Sequence, residues 1–132
     1  MKKGIKIGDY AEFSKTLTQC DVYEFAGITG DFNPVHVNSV AAKNSIFHKQ
    51  VCHGMLTASL FSTVIGTKLP GQGSVYLEQN SKFLKPVYFN DTVTARLTVI
   101  DIDKDHGIVN LETNAFNQDG ILVVTGNAKV KI

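Results

Sequence analysis

The chain has 132 residues, with 13 Lys or Arg against 12 Asp or Glu and a formal net charge of +1. That length supports about one domain, with a core that needs neither metal nor disulfide to hold it. Balanced charge without a basic block or stripe excludes a protein that works by neutralising nucleic-acid phosphates, and the modest charged share of 19% leans toward an oligomer with an uncharged interface.

The first predicted element is an extended segment over 9–17. A helix of about two turns follows. Thr18 and Asp21 form its capping box, Leu17 and Val22 sit at the staple positions, and Gly27 and Gly30 end it. Residues 30–38 read as irregular, because Pro34 bars the helical region to Asn33. Asn38 or Ser39 caps a short helix through Ala41 and Ala42.

The longest helical pattern covers 53–66 and carries no charge after His53. It is apolar on most sides, so it reads as a buried helix. The remainder is strand. Val75 to Leu84 is extended, and three later stretches, 92–99, 109–115 and 122–132, alternate apolar with polar residues. Short turns at Asp103–Gly107 and Gln118–Gly120 join them as hairpins. An antiparallel sheet must cover its apolar face, and the segment large and apolar enough to do so is the 53–66 helix. The predicted architecture is α+β: a curved sheet around one helix, with edge strands open to a second subunit. A single domain over residues 1–132 is expected.

Cys20 and Cys52 have neither redox nor ligand spacing and read as packed thiols. No metal-ligand spacing links His36, His48 and His53. The lysines near the N-terminus precede no apolar run, and every apolar stretch falls short of the roughly 18 residues that span a bilayer. A cytoplasmic protein with no membrane or nucleic-acid partner is the expectation.

Asp31 and His36 carry the chemistry, if the chain has any. A carboxylate and an imidazole aimed into one cavity can hold and pass a proton at neutral pH. Asn33 and Pro34 stiffen the turn between them. The same two residues also fit plain structural duties, a turn-capping carboxylate and a satisfied core histidine. Gly54 stands at the start of the long helix, where free amides can receive developing negative charge on a carbonyl oxygen; it equally fits close helix–sheet packing. Ser62 reads as deep in the same helix, and its hydroxyl needs a partner. Asp31 and the helix carbonyl of residue 58 both qualify.

Gly30-Asp31-Phe32-Asn33-Pro34-Val35-His36, followed by His53-Gly54-Met55-Leu56, resembles the MaoC-like (R)-specific enoyl-CoA hydratases. The stretches 69–77, 83–87 and 124–126 share the resemblance, which runs from about residue 8 to 131. It implies a hot-dog fold, a five-stranded antiparallel sheet wrapped around a long helix, in a homodimer. It implies reversible hydration of trans-2-enoyl-CoA, with no cofactor beyond the coenzyme A of the substrate. Asp31 and His36 become the catalytic pair, Gly54 the donor to the thioester oxygen, and Ser62 and Asn33 supporting residues, with Ser62 orienting Asp31. A hot-dog thioesterase and a non-catalytic acyl-CoA binding module are the competing readings.

Overall fold

The computed structural model describes residues 4–132. In chain order these form β1 (Tyr10–Thr16), α1 (Gln19–Thr29), α2 (Pro34–Val37), α3 (Ser39–Lys43), α4 (Gly54–Thr67), β2 (Val75–Phe83), β3 (Thr92–Asp103), β4 (Ile108–Phe116) and β5 (Leu122–Lys131). The strands make one antiparallel sheet in the order β1-β3-β4-β5-β2, curved against α4. This is the expected hot-dog arrangement.

The alternating sequence builds the core. Val93, Ala95, Leu97 and Val99 of β3 and Val109, Leu111 and Ala115 of β4 are each at most 1% exposed. They meet Leu60, Phe61, Val64 and Ile65 of α4. Full burial of a side chain such as Phe61 contributes about 1.5–3 kcal/mol. At the other margin β2 approaches β5 closely, with Ser81 opposite Gly126. A Cβ at position 126 would lie 1.8 Å from the Asn80 carbonyl oxygen, so only glycine fits this strand pairing.

Helix α1 starts as its sequence predicts. Thr18 Oγ1 accepts from the Asp21 amide at 3.2 Å, the Asp21 carboxylate accepts from the Thr18 amide at 2.9 Å, and Leu17 and Val22 are buried together. Its length differs from expectation. The helix continues through Gly27 to Thr29 and stops at Gly30, whose φ of 80° is left-handed. A glycine inside a helix costs about 1 kcal/mol relative to alanine; the buried Val22 and Ala26 offset that.

Three further expectations need correction. Residues 34–37 are helical, because proline is at home in the first turn of a helix and Asn33 serves as an extended N-cap before it (φ −51°, ψ 126°). Helix α4 is buried on one side only. Met55 is 65% exposed and Ser59, Ser62 and Gly66 are exposed too, since the sheet wraps the opposite face. Cys20 is exposed, its Sγ directed at Glu24 Oε1 3.5 Å away, while Cys52 is the packed thiol. Among the described residues no helix is long and apolar enough to cross a membrane.

Candidate active site

A cavity of about 540 Å³ opens between the α1–α2 link, the start of α4 and the segment after β2. Asp31, Asn33, His36, His53 and Gly54 line it, with Phe83, Lys85 and Val87 on the facing wall. Lys85 is the lysine that lines this cavity. Lys129 pairs with Glu78 and Lys131 donates to the His106 carbonyl.

The α1–α2 link is a chain of short local bonds. The Asp31 amide donates to Thr29 Oγ1 at 3.1 Å, and Asp31 Oδ1 accepts from the Asn33 amide at 3.2 Å. Asn33 Oδ1 in turn accepts from the Val35 amide at 3.4 Å and so starts α2. One turn later His36 points inward, 8% exposed. Its Nδ1 lies 2.7 Å from the Val51 carbonyl oxygen. A carbonyl only accepts, so Nδ1 carries the hydrogen and Nε2 is the bare nitrogen of the neutral ring. Burial is the main influence on its basicity and lowers its pKa; the Val51 bond pulls next and upward, His53 lowers it further, and Asp31 raises it least. Asp31 itself is exposed.

Helix α4 brings the third component. Its N-cap is His53, and the amides of Gly54 and Met55 have no acceptor among the described residues. The Phe83 ring packs over Gly54, where a Cβ would come within 2.8 Å of it. Both readings of Gly54 therefore have a physical basis, a free amide and a close approach.

Ser62 does not join this group. It is eight residues past Gly54, about 12 Å along the axis, and lines a separate groove with Met55, Tyr76 and Phe83. Asp31 bonds only to residues 29, 33 and 53 among the described residues. The expected bond from Ser62 is not formed, and its hydroxyl faces outward instead of into the core.

Sequence spacing misses His53 as a member of the site. Its Nε2 lies 2.9 Å from the Asp31 carbonyl oxygen, and its ring stacks on His36 with centroids 3.8 Å apart and planes 26° from parallel. The available signal is an imidazole immediately before a helix-starting glycine. Potential ligand atoms of Asp31, His36 and His53 lie within 4.8 Å of one another. Ring lone pairs lie in the ring planes, so stacked imidazoles direct them side by side, a poor geometry for a shared cation. Cys52 also lines the cavity, but burial pushes its thiol up to about 12, so it is no nucleophile near neutrality.

The MaoC like domain family matches residues 4–117. The (R)-specific enoyl-CoA hydratase of Aeromonas caviae is 42% identical over 130 residues, covering 98% of this chain and 97% of the relative. That of Rhodospirillum rubrum is 41% identical over 128 residues, covering 97% and 88%. A solved (R)-hydratase from A. caviae, described as involved in PHA biosynthesis, superposes with a TM-score of 0.95 at 42% identity over 98% of both chains. Matching sequence over nearly its whole length, and matching fold, the chain belongs to the MaoC-like domain family.

Proposed function

We propose that this chain is an (R)-specific enoyl-CoA hydratase, adding water reversibly to trans-2-enoyl-CoA to give (R)-3-hydroxyacyl-CoA. The observation that carries the reading is the convergence of Asp31 and His36 to within 4.8 Å beside the unpartnered amides that begin α4. Relatives that share over 40% of the sequence bear the name of this activity.

The chemistry follows from the groups present. The Asp31 carboxylate and the bare Nε2 of His36 hold one water between them. As its oxygen bonds to the β carbon of the enoyl thioester, a proton passes to the pair and electron density moves onto the thioester oxygen. The Gly54 amide meets that charge. The pair then returns a proton to the α carbon, so H and OH are added and nothing is left over. Asp31 and His36 handle that proton together in this scheme. Asn33 supports it by fixing the turn from Asp31 into α2. The reaction uses proton transfers alone, so it calls for no cofactor beyond the coenzyme A carried by the substrate. Lys85, at the cavity mouth, is the cation suited to that carrier's phosphates. Two unpaired cysteines suit a reducing cytoplasm.

The test is a paired assay on crotonyl-CoA and longer trans-2-enoyl-CoA thioesters, following loss of enoyl absorbance and release of free thiol, with chiral analysis of the product. Hydration to the (R)-product without thiol release is expected. Thiol release would make it a thioesterase, and binding without turnover a carrier module. Asp31→Ala and His36→Ala should remain folded and lose about a hundredfold or more in turnover; near-normal rates in folded variants would reject the assignment.

A further inference from the structure

We propose that His53 is a positioning residue for the hydration reaction: it holds the Asp31 backbone and the His36 ring in mutual register without itself touching the substrate. This rests on the hydratase reading above.

The helix gains little from a histidine at this position. An N-cap residue ordinarily turns a side-chain oxygen onto the free amides of the first turn. His53 makes no such bond; its ring meets the Asp31 carbonyl and the His36 ring instead. Packing does not explain it either. The residue is 2% exposed, wedged between the His36 ring and the Phe25 ring at 4.9 Å. Phenylalanine would fill that space with no polar atom to satisfy. Histidine instead leaves Nδ1 buried and without a hydrogen-bond partner, one of two such side-chain atoms among the described residues, with Thr57 Oγ1. An unsatisfied buried acceptor is a penalty that native structures avoid unless something offsets it.

The offset is the other ring nitrogen. Nε2 donates to the Asp31 carbonyl across 22 residues of sequence. Among the described residues every other hydrogen bond of Asp31 is to Thr29 or Asn33, within its own turn. The His53 bond is therefore, among the described residues, the one hydrogen bond that ties Asp31 to a part of the protein outside its own turn. The same ring stacks on His36, whose Nδ1 is held by Val51, two residues before His53. Residues 51–54 thus fix one partner of the pair, tether the other, and supply the free amide. A loosened turn would let the Asp31 carboxylate drift from the water it shares with His36, and small misplacements of catalytic groups are expensive.

The experiment is a double-mutant cycle between position 53 and Asp31, read by steady-state hydration of crotonyl-CoA and by thermal melting. His53→Asn installs a good N-cap but is too short to reach the Asp31 carbonyl. His53→Gln carries a donor near the position of Nε2. We expect His53→Asn to keep or raise Tm while kcat falls about tenfold to a hundredfold, with KM within about threefold. His53→Gln should recover most of the lost kcat. In an Asp31→Asn background, where the pair is already broken, His53→Asn should lower kcat no further. Unchanged kcat in His53→Asn overturns the proposal, as does an additive loss in the Asp31→Asn background. Should His53→Asn fail to fold, His53→Gln decides: a folded Gln variant with kcat down more than tenfold overturns it. If Asp31→Asn alone hydrates as fast as the parent, the hydratase site assignment fails, a result separate from these.

Discussion

At the scale of single residues, His36 is set apart by where its two nitrogens go. Nδ1 is committed to the Val51 carbonyl, and the ring is buried against His53. Burial holds its pKa below the ordinary 6.5, so at neutral pH the neutral ring, with its bare acceptor nitrogen, predominates. We therefore expect the acid limb of kcat/KM for hydration to have its midpoint below pH 6.5. The sign for stability is the same. The unfolded chain takes up the proton first, so unfolding gains a proton between 6.5 and the lower native value, and stability falls as pH drops through that window. A pH–rate profile alongside NMR titration of the His36 ring checks both; a His36 midpoint above 6.5 would contradict the burial argument. Asp31 and His36 are visible in the sequence because Pro34 and Asn33 bracket a stiff turn between them. His53 is not, since its role depends on the start of α4 facing a turn 22 residues earlier, which no local spacing encodes.

At the scale of elements, the sequence is most legible where one period governs. Strands β3 and β4 follow from alternation, because buried residues alternate with half-buried or exposed ones along most of their length, while β5 departs from it at Val123 and Val124, which are both buried. It is least legible where a residue has two uses. Gly27 reads as a stop but lies inside α1, and Pro34 reads as a breaker but opens α2. Gly54 has two uses of the same kind, and one variant pair separates them. Gly54→Ala keeps the amide and adds a Cβ 2.8 Å from the Phe83 ring. That ring is half exposed and can pivot, so we expect little loss of Tm and a ring displaced within the cavity it lines. KM for the thioester should rise several-fold while kcat stays within about threefold, since the charge-stabilising donor is intact. Adding Phe83→Leu should restore KM. A large fall in kcat that Phe83→Leu leaves untouched would mean that the backbone at Gly54, and not the space above it, tolerates no side chain.

At the scale of the whole molecule, the two margins of the sheet are unequal. Strand β1 is blunted by polar groups: Ser14 and Thr16 share hydroxyl bonds with Thr94 and Thr92, and Arg96 lies over the Tyr10 ring. Strand β2 pairs with β5 alone and exposes Val75, Tyr76, Leu77 and Phe83. Beside it the outward side of α4 adds exposed Met55, and between them lies a groove of about 580 Å³. The all-round apolar sequence of α4 reads as complete burial, but one copy of the chain covers only the sheet side, which is why Ser62 ends up facing outward. An open strand edge beside an apolar groove is a surface that native proteins cover, and a second copy of this chain with β2 against β2 would cover both at once. We propose that homodimer. Leu77→Asp should then place a charge in the joint and shift the protein from dimer to monomer at micromolar concentration by light scattering, leaving the β3-β4-β5 core and its far-UV circular dichroism intact. A parent that is already monomeric, or a Leu77→Asp variant that remains a dimer, would remove β2 as the joining edge.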